Sequence, residues 1–319
     1  MQRVRGSRTF SEVRYAIRNL FTYSKYGPSD HYGHWLAWQK RPLPNTQMTY
    51  GELCRLLFEG GVEDFTGEAA LLAERLCRVS RARFITNRAC PLSHPLLEDA
   101  VERRVNGEPL QYILGEWDFY GETYRVTPDC LIPRSDTEIL VEKAIKLLPE
   151  NGRFADLCTG SGCIAVSTLA HRPDCTAHAV DLFPRTVALA AENAERNGVK
   201  DRLSLSVADV LDPACLTGEP LFDAIFSNPP YIRTAVIETL ERELFREPRA
   251  ALDGGEDGLI FYRTIVKNLS SRLSEKGFFL FEIGYDQEDD IRQIAAQNGF
   301  LCTVEKDLGG NPRVALLYR

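Results

Sequence analysis

From Thr49 onward the apolar positions of this chain follow helical spacing for some sixty residues. Thr49-x-x-Glu52 has the form of a capping box, in which a hydroxyl and a carboxylate each satisfy one unpaired backbone donor at a helix start. Leu53, Leu56 and Leu57 follow on one face, and Gly60-Gly61 ends the run. A second helix fits Ala69, Leu72, Ala73 and Leu76. A third starts at Ser93-His94-Pro95, keeps Leu96, Ala100, Val101 and Val105 on one face and ends near Gly107. Three short amphipathic helices predict a small bundle over residues 48–109, too small to carry chemistry alone.

Residues 110–135 change character. Trp117-Asp118-Phe119-Tyr120, Gly121-Glu122 and Thr123-Tyr124-Arg125-Val126 predict a β-hairpin about a glycine-containing turn, linking the bundle to the C-terminal part of the chain. Asp136-Thr137-Glu138 then opens an amphipathic helix that runs to Leu148. Beyond Gly152 strands and helices alternate. Strands are predicted at 153–157, 176–182, 203–207, 222–227 and 278–283, and helices at 163–170, 185–197, 259–273 and 287–298. Two closing strands near 302–305 and 313–318 flank Gly309-Gly310-Asn311-Pro312, a turn composition that predicts an antiparallel hairpin at one sheet edge. The fold class is therefore α/β, a doubly wound, Rossmann-like sheet over residues 136–319, preceded by a small helical domain.

Composition narrows the function. Hydrophobic residues make up 44% and charged residues 26% of the 319, the balance of a soluble globular protein. No apolar run approaches the ~20 residues that a bilayer requires, and the N-terminus lacks a signal-peptide core. The nine cysteines are scattered without a C-x-x-C pair, which fits small buried hydrophobes in a reducing, cytoplasmic setting better than disulfides or zinc. Net charge is −7, but residues 1–47 carry +6, leaving −13 for the remainder. So acidic a body repels a phosphate backbone and argues against a nucleic-acid substrate. Residues 1–47 read as an extension or the product of a mis-chosen start, since Met occurs only at positions 1 and 48 and the capped helix follows Met48 directly. They hold a possible helix, Phe10 to Leu20, and two histidines, His31 and His34, that lack the spaced partners a metal site needs. A chain starting at Met48 is expected to fold and act normally.

The candidate chemistry lies at strand ends. Asp156-Leu157-Cys158-Thr159-Gly160-Ser161-Gly162-Cys163-Ile164-Ala165 spans the turn from the first strand of the alternating region into its first helix. Glycines there let backbone approach a ligand closely, and the helix N-terminus offers N–H groups. Asp181 ends the second strand, where a carboxylate can accept from both ribose hydroxyls; Asp209 ends the third, where it can read an adenine amino group or simply cap a turn. This much also satisfies a dinucleotide-binding fingerprint. Asn228-Pro229-Pro230-Tyr231 decides between the two. It follows the apolar strand Phe222–Ser227 at the carboxyl edge of the sheet, where open α/β folds bind ligands. An NH2 group needs two acceptors to fix its two hydrogens, and the Asn228 oxygen and the Pro229 carbonyl can supply them. Tyr231 adds a flat face for a planar target. The pattern points to methylation of an amide or amine nitrogen from S-adenosylmethionine, with no metal set and no Ser-His-Asp or Cys-His arrangement competing.

Over residues 48–319 the chain resembles the protein N5-glutamine methyltransferases that modify the Gly-Gly-Gln motif of peptide chain release factors. The resemblance rests on Gly107–Gly115 (GEPLQYILG), Leu131–Glu138 (LIPRSDTE), the glycine loop and Ser227–Ile232 (SNPPYI). Glu247-Pro248, Gly254–Gly258 (GGEDG) and Glu282-Ile283-Gly284 add to it. It implies a seven-stranded methyltransferase domain joined by the hairpin to a helical domain that helps dock the release factor. It places Cys158, Thr159, Gly160, Ser161, Gly162, Asp181 and Asn228 on the cofactor, and Asn228, Pro229, Pro230 and Tyr231 on the substrate glutamine. The tetrapeptide is shared with adenine-N6 DNA methyltransferases, so methylation of a ribosomal-protein glutamine, or of a nucleic-acid adenine, remains an alternative. Two departures stand out: residues 1–47 have no counterpart, and Val210 follows Asp209 where some relatives carry a larger aromatic. The expectation is a single-chain cytoplasmic enzyme with a release factor as partner and no membrane association.

Overall fold

The computed structural model describes residues 47–240 and 243–319, and the chain divides into one unit ending at Glu108 and another running Pro109–Arg319. The Phe10–Leu20 helix, His31 and His34 lie outside the described residues.

In the first unit, β1 (Gln47–Thr49) runs directly into α1 (Tyr50–Glu59). The capping box is formed: the Glu52 amide donates to Thr49 Oγ1 at 3.2 Å and the Thr49 amide to Glu52 Oε2 at 2.8 Å. The second helix begins as α2 (Phe65–Leu71) but loosens over Leu72–Leu76 into a π-helical turn. α3 (Arg81–Ile85) and β2 (Pro91–Ser93) were not expected, being too short to show a period. β2 pairs antiparallel with β1, Met48 opposite Leu92. Ser93 therefore ends a strand, and the third helix, α4 (Leu97–Val105), starts later than expected. Arg104 on α4 is buried and forms a two-pronged ion pair with Glu68 on α2, at 2.5 and 2.9 Å. Pairing is what makes burial of that charge tolerable.

The second unit opens with α5 (Leu110–Leu114) and the hairpin β3 (Glu116–Phe119) and β4 (Glu122–Arg125). Its turn, Tyr120-Gly121, has positive φ at both residues (50° and 93°), the geometry that matches strand twist. After α6 (Glu138–Leu147) come β5 (Arg153–Leu157), α7 (Cys163–His171), β6 (Thr176–Asp181), α8 (Pro184–Arg196), β7 (Leu203–Val207) and β8 (Phe222–Ser227). The short α9 (Thr234–Ile237) leads to α10 (Ile260–Leu269), β9 (Leu273–Glu282), α11 (Glu288–Gln297), β10 (Leu301–Lys306) and β11 (Pro312–Tyr318).

Seven strands form one sheet in the order β10-β11-β9-β8-β5-β6-β7. β7, β6, β5, β8 and β9 are parallel, while β11 is antiparallel to both β9 and β10, so the closing hairpin does lie at an edge. β9 starts five residues earlier than its apolar run suggests. The polar Ser274-Glu275-Lys276 hides its first half, and a register shift near Gly277 joins the two halves. The Arg125 amide donates to Asn193 Oδ1 at 2.7 Å, anchoring the hairpin to α8 within this unit.

Alternation along the strands feeds two cores. Phe154, Ala224, Phe226, Phe278 and Leu280 pack with α6 and α7 on one face. Ala155, Leu157, Ile225, Phe279 and Phe281 pack with α10 and α11 on the other. Phe226 is fully buried, its ring 4.9 Å from that of Phe154 and 6.2 Å from that of Phe278. Phe226→Ala is expected to cost roughly 3–5 kcal/mol in denaturant unfolding, whereas truncating the fully exposed Leu308 should leave the midpoint unchanged.

Candidate active site

The carboxyl ends of β5, β6, β8 and β9 converge on one edge of the sheet, where parallel topology leaves a crevice. The turn from β5 into α7 is built by backbone conformation: φ is 56° at Cys158, 58° at Gly160 and 82° at Gly162. A Cβ on Gly162 would sit 3.2 Å from that of Ala190, so this glycine permits α7 and α8 to pack. A Cβ on Gly160 would meet nothing nearer than the Cys158 carbonyl at 4.0 Å, so this glycine faces open space. Cys158 is half-buried, Cys163 buried, and burial pushes both thiols up, making them packing groups rather than nucleophiles.

Behind the loop lies Asp156. One oxygen accepts from Thr159 Oγ1 at 2.6 Å and from the Ala165 amide at 3.2 Å; the other, Oδ1, is buried with no partner among the described residues. Thr159 therefore turns its hydroxyl inward, and buried Ser161 gives its carbonyl to Asn193 Nδ2 at 2.8 Å. These two residues shape the loop and face the protein with those groups. Asp181 accepts the Gly160 amide at 3.0 Å on one oxygen and the Phe183 amide at 3.1 Å on the other. The carboxylate keeps acceptor capacity for a further donor, and burial raises its pKa against the hydrogen bonds that it accepts from the backbone. Asp209 is exposed and accepts the Leu211 amide at 2.9 Å, the turn-capping arrangement. Exposed Leu182, Phe183 and Val207 add apolar surface just past β6 and at the end of β7. An open glycine turn, a carboxylate with spare acceptor capacity and an apolar rim fit the adenosyl part of S-adenosylmethionine.

Across the crevice, β8 delivers Asn228-Pro229-Pro230-Tyr231. Glycines and one glutamine hold its backbone. A Cβ on Gly254 would fall 2.7 Å from Tyr231 Cα and 2.8 Å from the Pro230 oxygen. Gly258, at φ 77°, would drive one to 2.4 Å from the Tyr231 oxygen. Ile232 donates its amide to the Leu252 carbonyl at 2.9 Å, and Gly254 donates to the Ile232 carbonyl at 2.8 Å. Buried Gln287 donates through Nε2 to the carbonyls of Tyr231, 3.1 Å, and Gly258, 3.2 Å, while its Oε1 accepts the Gly284 amide at 2.9 Å. Both prolines are buried, and Asn228 and Tyr231 are half-buried.

Sequence reasoning assigned no role to the groups behind Asn228. Asn228 Nδ2 donates to Thr137 Oγ1 at 3.3 Å, Thr137 donates to Glu282 Oε2 at 2.5 Å, and Tyr231 OH lies 3.5 Å from Glu282 Oε1. Glu282 ends β9 fully buried; that burial, opposed by Thr137 and Arg313, pushes its carboxyl up to about 7. A carboxylate closing the apolar run Phe278-Phe279-Leu280-Phe281 was a readable signal, of the kind used for Asp181. Thr137 was masked because a threonine before a helix reads as a cap, and Gln287 gave no signal. Arg134 is clasped by Glu247, which also accepts the Ile132 amide at 3.0 Å, fixing the segment that leads to Thr137.

Asp156 likewise sits at about 7 because burial outweighs its hydrogen bonds. Its folded pKa lies above the ordinary 3.8, so its contribution to stability is full below the unfolded pKa and is lost as pH rises through 7. Asp156→Asn should therefore flatten the fall in Tm between pH 5 and 8 in calorimetry; an unchanged slope would refute the assignment.

Residues 135–271 match the Methyltransferase small domain family, and residues 51–115 match the PrmC N-terminal domain. The chain is 40% identical over 263 residues to the release factor glutamine methyltransferase of Geobacter sulfurreducens, covering 81% of this chain and 91% of that one. The enzyme of the same name from Moorella thermoacetica is 38% identical over 276 residues, covering 84% and 96%. Among solved structures, the hMettl16 catalytic domain in complex with MAT2A 3'UTR hairpin 1 superposes with a TM-score of 0.52 at 16% identity, over 71% of this chain and 83% of that one, a likeness of fold alone. With identity of 38–40% sustained over nearly the whole length of such relatives, and with both family models in place within it, the chain belongs to the release factor glutamine methyltransferase family.

Proposed function

We propose that this enzyme transfers the methyl group of S-adenosylmethionine to the side-chain amide nitrogen of the glutamine in the Gly-Gly-Gln motif of a peptide chain release factor. The observation that carries the reading is the rigid Asn228–Tyr231 segment, clamped by Gly254, Gly258 and Gln287 beside an open glycine turn, in a chain so similar to enzymes of that name.

In this reading Cys158–Gly162 and Asp181 hold the cofactor: the loop backbone lies along it and the Asp181 carboxylate takes the ribose hydroxyls. Asp209 lies at the adenine end. When bound, S-adenosylmethionine supplies an electrophilic methyl group, the S–C electron pair staying on sulfur as the N–C bond forms. The chain's own contribution is orientation. Asn228 Oδ1 and the Pro229 carbonyl accept the two amide hydrogens, which aims the nitrogen lone pair and stabilises the positive charge that grows on nitrogen. Nitrogen then releases one proton toward solvent. Pro230, buried and unable to donate, keeps the backbone rigid, and the Tyr231 ring lies against the planar amide.

Residues 48–109 dock the release factor, residues 110–135 link, and residues 136–319 carry the transfer. The substrate is protein rather than nucleic acid, in keeping with the −13 carried by residues 48–319. The enzyme acts as a single chain in the cytoplasm, where its nine unpaired cysteines stay reduced. Among the described residues no helix is long and apolar enough to cross a membrane.

Methyl transfer from labelled cofactor to purified release factor should be abolished when the Gly-Gly-Gln glutamine is replaced; label persisting on the replaced protein would overturn the assignment, as would label on adenine or on a ribosomal protein alone. Asn228→Ala should lower kcat by about a hundredfold or more while cofactor affinity by calorimetry stays within about threefold. Parallel loss of both would mean that Asn228 serves mainly the cofactor.

A further inference from the structure

Asn228 can face its partner with either end of a nearly isosteric amide, and the two choices have opposite chemical meaning. With oxygen outward it offers an acceptor to a substrate NH2; with nitrogen outward it offers a donor against donors. Something must fix which end points out.

We propose that Thr137 and Glu282 are positioning residues that set the polarity of Asn228, holding its NH2 inward so that its oxygen faces the substrate nitrogen. The inference rests on the proposed function, in which that oxygen accepts from the substrate amide. A threonine hydroxyl has one proton to give. Glu282 Oε2, 2.5 Å away, takes it, because an ionised carboxylate only accepts. The Thr137 oxygen is then left to accept, and its neighbour at 3.3 Å must be Asn228 Nδ2, not Oδ1. Donor direction therefore runs one way, from Asn228 through Thr137 to Glu282, and the free end of the amide is oxygen.

The parts of this relay are immobilised independently. Thr137 is buried in the turn Ser135–Thr137, beyond the Arg134–Glu247 clasp. The Glu282 carbonyl accepts Tyr262 OH at 2.8 Å. The groups facing the Glu282 carboxylate are Arg313 from β11, which favours its ionised form, Asp136 from the turn, which opposes it, Cys163 at the start of α7, and the tyrosines Tyr231 and Tyr262; burial first, and its charge to a lesser degree, pushes up that thiol and both hydroxyls. Arg313 is itself shared between Asp136 and Asp307, each at 3.3 Å. Protonation would turn Glu282 into a donor to Thr137, send the Thr137 proton toward Asn228 and favour the reversed amide. With its carboxyl pushed up to about 7, kcat should rise with pH through that region and level off above it.

The test is steady-state kinetics of the full chain on purified release factor at pH 8, with cofactor affinity measured separately. Thr137→Val should lower kcat at least about tenfold with KM and cofactor affinity little changed, and Thr137→Ser should restore kcat to within about threefold of the parent. A Thr137→Val enzyme with parental kcat, or a folded Thr137→Ser enzyme as impaired as the valine variant, would overturn the proposal. If Thr137→Val fails to fold, Thr137→Ala, which also lacks the hydroxyl, takes its place with the same expected loss, and Glu282→Gln adds a pH readout: the rise in kcat through about pH 7 should vanish in it. A Thr137→Ala enzyme with parental kcat, or a Glu282→Gln enzyme that keeps the parental rise with pH, would overturn the relay. The Asn228→Ala variant separates the two readings. Retained transfer there removes the acceptor role itself; loss there, with parental kcat in Thr137→Val, removes only the relay.

Discussion

Two adjacent prolines at the end of a buried strand cannot donate hydrogen bonds, and the rest of the crevice is arranged around that deficit. Backbone without N–H groups cannot be held by ladder pairing, so Asn228–Tyr231 is secured through its carbonyls and by steric exclusion. Gln287 grips the Tyr231 carbonyl, while Gly254 and Gly258 approach the tetrapeptide more closely than any side chain would allow. The two glycines and the glutamine come from separate segments, before α10 and at the start of α11. The β9–α11 turn and the loop after α9 are thereby as much a part of the crevice as the strand that carries the motif.

The same edge of the sheet concentrates buried carboxylates. Asp156, Asp181 and Glu282 end or nearly end three parallel strands, and burial raises the pKa of each. Burying an ionisable group costs stability unless it is well paired, and Asp156 Oδ1 has no partner among the described residues. The fold accepts that cost for carboxylates where β5, β6 and β9 end. Carboxylates in such surroundings act as fixed acceptors. Asp181 ties the glycine turn to the end of β6 by taking the amides of Gly160 and Phe183, and Glu282 orders Thr137.

How much of this was legible depended on whether a feature is local. The Thr49–Glu52 cap is complete within four residues and formed as expected. The alternating strands and helices announced the parallel sheet because each buried strand is an apolar run. The closing hairpin followed from its turn composition. Features made by pairing were not legible: β1 and β2 exist only by pairing with each other, and the first half of β9 is polar. At the crevice, glycines and the Asn-Pro-Pro-Tyr tetrapeptide stood out by composition. The direction of the Thr159 hydroxyl, turned inward to Asp156, did not. Nor did Thr137, since a threonine beside Glu138 looks like an ordinary helix start until β9 sets Glu282 against it.

The Asn228–Thr137–Glu282 chain of bonds joins residues 91 and 145 positions apart. Closing loops of that length is entropically demanding, and contacts so remote in sequence form late when a chain condenses. During refolding, the helices and the β3–β4 hairpin can appear well before the three segments meet. Recovery of catalytic competence should accordingly lag behind recovery of helical signal, and the crevice reports on the cooperative folding of the whole second unit rather than on any one of its pieces.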